Sequence, residues 1–313
     1  MGSRHAGFRV GRTAESLLWS CAMALWLSAG GPLVGNAQDD EGPVIRDSSV
    51  GYIDSAIPGT TVRFRYDAAY ENRQPSRVEF FWPRSGPAGP GPAFPETAVD
   101  YQDFLFYGEA AVCPCGSLFL EAPVRLVNPE VNSNAEGLGD VNVGLKHIIH
   151  AAPDWITTAQ LRVYTPTGDG SEGLGTRHVS LEPAILAFAP LSDRLRFEGE
   201  LRYWIPLGGT DFAGDVLRYG AGLQLVPSVD SLWQVTPVVE FVGWTVLGGL
   251  ASASVGPGQF AVTPAEGTTI VNFKAGLRTQ VGANSDLYAG WGHPLTDANW
   301  YENTVRVELR WYY

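Results

Sequence analysis

The sequence predicts an all-β chain that folds as a single up-and-down antiparallel transmembrane β-barrel of about 12 strands. Three observations support this prediction: strands of about 9–11 residues, alternating apolar and polar side chains along each strand, and alternating long and short connections. Charged residues make up only 17% of the chain, against about 25% in a typical soluble protein. Beyond the N-terminal segment, no run of about 18 apolar residues is available to form a membrane-spanning helix.

The strands are predicted, in chain order, at 60–70, 101–112, 117–127, 139–149, 155–164, 178–188, 194–204, 216–226, 232–243, 268–281, 286–292 and 303–313. The longest connections are 71–100 and 244–267. A membrane barrel alternates its connections because periplasmic turns are short and extracellular loops are long. A β-sandwich with Greek-key connections has no reason to show this alternation. Both chain ends are therefore predicted to face the periplasm.

Side-chain alternation assigns two faces to each strand, and the strand 303–313 shows it most clearly. Its apolar face carries Val305, Val307, Leu309, Trp311 and Tyr313, whereas its polar face carries Arg306, Glu308, Arg310 and Tyr312. Successive side chains of a strand point to opposite sides of the sheet. The partner strands have similar length and alternation, so we expect the apolar face to meet lipid. An aromatic residue at the end of such a strand is typical of the closing strand of an outer-membrane barrel.

Three prolines lie inside predicted strands, namely Pro123, Pro183 and Pro237. A proline has no backbone N–H and cannot complete the ladder of hydrogen bonds to a neighbouring strand. We therefore assign these residues to bulges or to strand ends.

The N-terminal segment has the features of a signal peptide. Three arginines precede an apolar run at 17–27, and small residues provide a cleavage site near Ala37. The predicted organisation is a signal peptide at 1–37, a periplasmic N-terminal leader at 38–59 and a barrel at 60–313. Residues 38–59 could instead fold into the barrel mouth. The predicted location is the outer membrane of a Gram-negative-type envelope. The predicted partners are outer-membrane lipids and the barrel-assembly machinery, which would engage the C-terminal strand.

The formal net charge of −12 argues against a nucleic-acid partner. After cleavage only Cys113 and Cys115 remain, in a Cys-Pro-Cys turn. This turn is open to four interpretations: a strained disulfide, a redox pair, a fragment of a metal site, or a plain turn with two thiols. The histidines are scattered and no further cysteine is present, so we predict neither a metal nor a cofactor.

The polar faces of the strands predict a charged lumen in which basic residues outnumber acidic ones. These charges either brace the wall as ion pairs or line a passage that favours anionic or polar-aromatic solutes. A twelve-stranded barrel lies between small filled barrels and wide porins, so we expect a narrow or gated route. The predicted lumen-lining residues are Arg63, Arg65, Asp67, Glu121, Arg125, Lys146, Arg162, Glu182, Arg196, Glu198, Glu200, Arg202, Arg218, Glu240, Lys274, Arg278, Arg306, Glu308 and Arg310.

Aromatic residues near the strand ends predict a girdle of rings at the two membrane interfaces. The spacing of aromatic residues along the fifth and ninth predicted strands would place a ring at each interface. The predicted girdle consists of Trp155, Tyr164, Tyr203, Trp233, Trp244, Trp311 and Tyr313.

Two glycine-rich segments resemble a known family. They are Gly-Leu-Gly-Asp-Val-Asn-Val-Gly-Leu-Lys at 137–146 and Tyr-Thr-Pro-Thr-Gly at 164–168. They are similar to the outer-membrane proteins of the MetA-pathway of phenol degradation family, which are transporter-like barrels. The resemblance extends from about Gly137 to the C-terminus and implies a barrel that handles small hydrophobic or aromatic compounds. The long first loop and the Cys-Pro-Cys turn depart from the family's pattern.

The predicted function is a narrow channel or transporter for small polar-aromatic or anionic solutes, and not an enzyme. One alternative is a structural or adhesive barrel that uses the loops 71–100 and 244–267. A second alternative is an outer-membrane lipid hydrolase, because His178 and Ser180 share a strand face, as the base and nucleophile of such an enzyme must. Two features oppose it: the Asn-Gly that follows the serine in such hydrolases is missing, and Ser180 shares its face with the lumen residue Glu182.

Overall fold

The computed structural model describes residues 48–73, 91–94, 96–227, 234–256 and 259–313. The predicted signal peptide and residues 38–47 lie outside these ranges. The described strands are β1 (Thr61–Asn72), β2 (Val99–Cys113), β3 (Gly116–Pro129), β4 (Ala135–Leu138), β5 (Asn142–Ala152), β6 (Trp155–Tyr164), β7 (Val179–Pro190), β8 (Leu195–Leu207), β9 (Val216–Leu225), β10 (Val235–Val246), β11 (Leu250–Gly256), β12 (Gln259–Pro264), β13 (Thr269–Gly282), β14 (Ser285–Pro294) and β15 (Asn303–Tyr312). A 3-10 turn spans Gly170–Glu172.

The search of the described residues for a helix long and apolar enough to cross a membrane found none.

The sheet closes on itself. β1 pairs antiparallel with β2 on one side and with β15 on the other. β4 and β5 both pair with β3 and share one position in the wall, which gives a closed antiparallel barrel of twelve strands. Closure leaves no row of unpaired backbone groups, which is the condition for a sheet to span a membrane. The predicted fold class is confirmed.

The observed strands follow the predicted ones, with three differences. The predicted strand at 139–149 is divided into β4 and β5. β11 and β12 form a separate hairpin inside the predicted loop 244–267. β10 is described from Val235, whereas the ninth strand was predicted from 232, and residues 228–233 lie outside the described part of the chain. Residues 74–90 and 95 of the predicted loop 71–100 lie outside the described part of the chain.

Each internal proline lies where the ladder to one neighbouring strand is interrupted. The pairing of β3 with β5 ends at Glu121, and its pairing with β4 begins at Val124, on either side of Pro123. The pairing between β7 and β8 skips Pro183. In β10, the pairing with β9 begins only at Val238, immediately after Pro237. A proline is compatible with these positions because no ladder N–H is required there.

Residues 48–59, here called the lumen loop, lie inside the barrel. The turn side of the barrel carries the connections 114–115, 153–154 and 283–284, and the loop side is the opposite end. The lumen loop contacts Arg310 near the turn side at Ser48 and reaches Glu240 at Tyr52. It then returns to Glu109 at Gly59, where β1 begins. Of the two placements predicted for 38–59, a leader or a segment in the barrel mouth, residues 48–59 lie inside the barrel, where the wall supplies partners for their backbone.

Candidate functional site: the barrel lumen

The predicted lumen-lining residues lie on the inner faces of their strands. Most are buried, and the less buried Arg65, Asp67, Arg218 and Arg306 border an internal cavity. Arg196 is half-buried on the same face as Glu198 and Glu200. The strand register brings these charges together, because residues directly opposite on paired strands share a face.

Ion pairs connect neighbouring strands along the wall. Arg202 Nη1 lies 2.9 Å from Glu182 Oε1, and Arg218 Nε lies 2.8 Å from Glu200 Oε1. Further pairs join Arg65 to Glu308, Arg278 to Glu308 and Arg306 to Asp67. Removing one partner from a buried pair leaves an uncompensated charge. Each charged side chain of the wall therefore relies on its partner to compensate its charge.

Sequence analysis missed four lumen carboxylates. Asp103 bonds Arg125 at 2.8 Å, and Asp286 lies 2.9 Å from Arg310. Glu109 lies 3.1 Å from Lys146 Nζ, and Asp54 enters from the lumen loop. Asp103 and Glu109 fall on the same strand face as Tyr107. The alternation of side chains along this strand could therefore have predicted them. The lumen therefore has a smaller excess of positive charge than we predicted, because these carboxylates pair with its arginine and lysine side chains.

The lumen loop is held by one carboxylate that accepts hydrogen bonds from three consecutive backbone amides. Glu240 accepts hydrogen bonds from the backbone N–H groups of Gly51 at 3.1 Å, Tyr52 at 2.9 Å and Ile53 at 3.0 Å. Hydrogen bonds to a charged acceptor are worth about 1.5–3 kcal/mol each. Glu240 is fully buried, so these amides are its compensation for leaving water.

Guanidinium groups of the wall donate to the carbonyls of the same loop. The donors are Arg310 to Ser48 at 2.7 Å, Arg278 to Ser49 at 2.9 Å and to Val50 at 3.0 Å, Arg306 to Gly51, and Arg218 to Tyr52 at 2.8 Å. Buried backbone groups must find partners. The loop has no strand beside it, and the wall side chains take the place of a strand.

Two glycines of β9 make room for the lumen loop. A Cβ on Gly220 would lie 3.0 Å from Ile53 Cγ1, and a Cβ on Gly222 would lie 3.0 Å from Val50 Cγ1. Both positions face inward, whereas Ala221 between them is exposed on the outer face. A side chain at either position would therefore require the lumen loop to shift.

Asp54 projects its carboxylate from the loop into a cluster of wall cations. Its Oδ2 lies 2.7 Å from Arg162 Nη2 and 2.7 Å from Arg202 Nη2, and it accepts a 3.1 Å hydrogen bond from Gln160 Nε2. Burial alone would raise the pKa of this carboxyl, but Arg202 and Arg162 hold the pKa well below its usual range. Asp54 is therefore ionised at neutral pH.

A cavity of about 190 Å³ lies between the lumen loop and the loop side of the barrel. Its aromatic lining residues are Tyr52, Tyr101, Tyr164, Trp204, Trp244, Trp300 and Tyr301. Lys274 lies in its wall with Nζ 3.5 Å from the Tyr52 ring centroid and 2.7 Å from Tyr301 Oη. Within the described ranges, no carboxylate forms an ion pair with Lys274. The cavity thus offers aromatic faces and an amino group that, among the described residues, has no carboxylate partner.

Two predicted girdle residues face the lumen instead of the membrane. Tyr164 bonds Glu182 through its hydroxyl at 3.4 Å, and Trp244 packs on Trp300 with ring centroids 4.7 Å apart. The girdle prediction was wrong for both. Tyr164 shares its strand parity with Arg162, and Trp244 shares its parity with Glu240, so both must point inward.

The remaining girdle prediction concerns rings on the outer face. Trp155, Trp311 and Tyr313 are exposed, and Tyr203 lies on the outer face with its hydroxyl 2.8 Å from Asp215. Trp291 is exposed on the outer face as well and was not predicted. Trp233 lies outside the described residues.

The glycine-rich motif fixes the connection after β6. Asp140 accepts hydrogen bonds from Gly168 N at 3.0 Å, Thr176 N at 2.7 Å and Thr176 Oγ1 at 2.8 Å. A Cβ on Gly168 or Gly175 would collide with backbone of this connection. The two segments at 137–146 and 164–168 therefore act together, and they shape the loop-side rim of the cavity.

The Cys-Pro-Cys turn holds two free thiols with Sγ atoms 2.7 Å apart, on the turn side. Among the described residues, no three His, Cys, Asp or Glu side chains are grouped closely enough to hold a metal ion.

His178 and Ser180 do not form a nucleophile and base pair. His178 Nδ1 lies 2.9 Å from the carbonyl oxygen of Thr176. Its Nε2 and the Ser180 hydroxyl are buried, and neither has a hydrogen-bond partner among the described residues. The geometry that a hydrolase needs is not present at this pair.

The closed twelve-stranded barrel with charged residues inside and apolar side chains outside defines the class of outer-membrane β-barrels. The family model described as "Putative MetA-pathway of phenol degradation" matches residues 95–310. The chain belongs to this family, as the motif at 137–146 indicated. The match also includes β2 and β3, ahead of the segment that carried the resemblance.

Solved structures share the fold at low sequence identity. The COG4313 outer membrane channel from Pseudomonas putida F1 is 14% identical, with 81% of this chain and 94% of that chain covered and a TM-score of 0.53. The NanC porin is 9% identical, with 82% and 100% covered and a TM-score of 0.50. The β domain of the Bordetella autotransporter BrkA is 10% identical, with 82% and 100% covered and a TM-score of 0.50. No curated protein gives a significant sequence match.

Proposed function

We propose that this protein is an outer-membrane channel or transporter for small polar-aromatic or anionic solutes. The observation that carries the proposal is the loop-side cavity, where aromatic rings surround Lys274. An aromatic ring packs on other rings by offset or edge contacts, and an ammonium group attracts an anion. The small cavity volume, below the range of about 300–1,000 Å³ for drug-sized ligands, favours a small solute.

The proposed location is the outer membrane. The outer face of the barrel exposes apolar side chains around the wall, including Leu118, Leu201 and Leu277. Large exposed apolar surfaces need a lipid or protein partner. We propose that residues 1–37 are removed as a signal peptide and that the barrel-assembly machinery engages the C-terminal strand.

The proposal is tested by reconstituting the heat-modifiable barrel in planar bilayers and liposomes. We expect small single-channel currents with anion preference, and faster uptake of benzoate than of benzylamine. A folded barrel that passes neither ions nor solutes would contradict the channel proposal.

The lumen loop favours one alternative, a structural barrel without transport. Its backbone occupies part of the lumen through hydrogen bonds to Glu240 and four arginines. In this alternative the loop never leaves, and amide exchange in 48–59 would stay as slow as in the wall under all solute conditions. Solute-dependent exchange in the loop would favour transport.

A further inference from the structure

We propose that Arg162 and Arg202 form a binding site for a small carboxylate anion, and that Asp54 of the lumen loop occupies this site in the absence of solute. The inference rests on the proposed function and specifies how a solute would engage the lumen. A carboxylate that arrives through the loop-side cavity would replace the carboxylate of Asp54. Residues 48–59 would then lose the side-chain ion pairs through which, in the described part of the chain, Asp54 attaches them to the wall.

The geometry is that of a bound carboxylate. Both guanidinium groups approach the same Asp54 oxygen at 2.7 Å, and Gln160 Nε2 adds a third donor at 3.1 Å. Charge-assisted hydrogen bonds from arginine to carboxylate are short and roughly twice as strong as neutral ones. These three donors require only a carboxylate acceptor at this position. The carboxylate of a free anion can therefore accept their hydrogen bonds as well as that of Asp54 does.

Asp54 is the closest carboxylate partner of Arg162. The wall carboxylates near this guanidinium are Glu121 at 3.3 Å and Glu182 at 3.8 Å, both farther than Asp54 at 2.7 Å. Arg202 keeps two close wall partners, Glu200 at 2.6 Å and Glu182 at 2.9 Å. Departure of Asp54 therefore leaves Arg162 as the group with unsatisfied donors, and a replacement anion restores them.

The site faces the cavity. Asp54, Arg162 and Arg202 all line it, together with the aromatic rings of Tyr164 and Trp204. The Asp54 side chain keeps 17% of its surface exposed, whereas those of Arg162 and Arg202 keep 6% and 2%. An anion in the cavity thus reaches the two arginines on the side where Asp54 now lies.

The other attachments of the lumen loop cannot be replaced in this way. They use its amides, which donate to Glu240, Glu200, Gln224 and Glu109, and its carbonyls, which accept from arginines and Thr158 of the wall. Between residues 48 and 59, Asp54 is the residue with a carboxylate side chain. Competition at Asp54 is therefore the contact through which a small anion acts on the loop.

Linkage gives the expected size of the effect. If the site is free in only a fraction of the molecules, the apparent Kd of a solute is the intrinsic Kd divided by that fraction. By reciprocity, a solute that competes with Asp54 also weakens the hold on the loop. Removal of the resident carboxylate should tighten anion binding, and addition of the anion should loosen residues 48–59.

The test compares Asp54→Asn with Asp54→Glu, which keeps the carboxylate, in the refolded full barrel. Benzoate is the probe and benzamide is its uncharged control, and tryptophan fluorescence or calorimetry gives the affinity. We expect Asp54→Asn to bind benzoate at least about tenfold more tightly than the parent, with Asp54→Glu close to the parent. Equal benzoate affinity in all three proteins, or equal binding of benzamide, would overturn the inference.

A second measurement needs no variant. Hydrogen exchange of the parent protein is followed by mass spectrometry over residues 48–59, with and without saturating benzoate. We expect faster exchange with benzoate and no change with benzamide, and unchanged exchange with bound benzoate would also overturn the inference. If benzoate displaces Asp54 but the barrel passes no ions or solutes, the anion site is supported and the channel proposal is contradicted. If the barrel passes solutes but benzoate does not compete with Asp54, the channel proposal is supported and the anion site is contradicted.

Discussion

The two halves of the lumen are built on different principles. In the turn-side half, the lumen loop fills the space and its backbone groups bond wall side chains such as Glu240 and Arg278. In the loop-side half, a cavity remains among aromatic rings, and Lys274 has a phenol as its hydrogen-bond acceptor and no ion-pair partner in the described part of the chain. Backbone hydrogen bonds of the lumen loop therefore close one part of this barrel, whereas the other part keeps a cavity lined by aromatic rings and ion-paired charges.

The largest effect is expected from placing a side chain where the lumen loop meets β9. The Gly222→Leu substitution puts atoms into the space of Val50, so the loop should be expelled and ion conductance should rise at least about tenfold. Bilayer recordings measure this rise. The matched control is Ala221→Leu on the outer face of the same strand, which should leave conductance unchanged. Parent-like conductance in Gly222→Leu would show that the loop does not close the lumen.

The second effect concerns the acceptor of the loop amides. The Glu240→Gln substitution removes the charged acceptor of Gly51, Tyr52 and Ile53. A loss of about 2 kcal/mol is expected from weakened charge-assisted bonds, which corresponds to roughly 30-fold faster exchange of these amides. Hydrogen exchange with mass spectrometry provides the measurement. Glu302→Gln, at the exposed rim, should change nothing, and slow exchange in Glu240→Gln would refute the anchoring role.

A smaller effect is expected in the open half. The Lys274→Met substitution keeps an unbranched side chain, one atom shorter, but removes its amino group, so the barrel should lose part of its anion preference. Reversal potentials in a salt gradient should shift toward the cation side, with benzoate uptake slowed about three- to tenfold. Arg194→Met, at an exposed turn, serves as the control. An unchanged reversal potential would place selectivity elsewhere in the lumen.

The smallest effect concerns pH. The pKa of Asp54 is lowered in the folded state by Arg202 and Arg162 against the effect of burial. The stabilisation that ionised Asp54 gives to the closed loop is therefore complete above the unfolded pKa of about 3.9. It is lost only as pH falls through the lowered pKa of the folded state. Between pH 8 and pH 5, the free energy of opening the lumen loop should stay constant after correction for intrinsic exchange rates. Loosening of the parent loop within this window would contradict the assignment of Asp54 as its ionic attachment.

The fold was predictable because strand parity and connection length are both visible in the sequence. Parity also placed Arg202, Glu240 and Glu308 on the inner face, where the structure has them buried. The same rule could have assigned Tyr164 and Trp244, which lie two and four residues from inward charges. The girdle prediction used their position along the strand and ignored their face.

From the sequence, residues 38–59 were open to two placements, a leader or a segment in the barrel mouth, and the choice was not possible for a physical reason that lies in the lumen loop. Its hydrogen bonds use backbone groups, which are the same at every position, so neither composition nor periodicity marks the loop as internal. Asp54 is one acidic residue in a polar segment, and its partners Arg162 and Arg202 lie more than a hundred positions away. Only the closed wall brings them together.

The lumen loop also constrains the order in which the molecule can assemble. Ser48 bonds Arg310 across 262 positions of the chain, and Gly51 bonds Arg306 across 255. Both arginines belong to β15, which seals the wall by pairing with β1. The lumen loop, which lies near the N-terminus of the chain, therefore cannot complete its bonds until this sealing strand has been synthesised. Seating of the loop and sealing of the wall are thus linked late steps, separated from the start of synthesis by almost the whole chain.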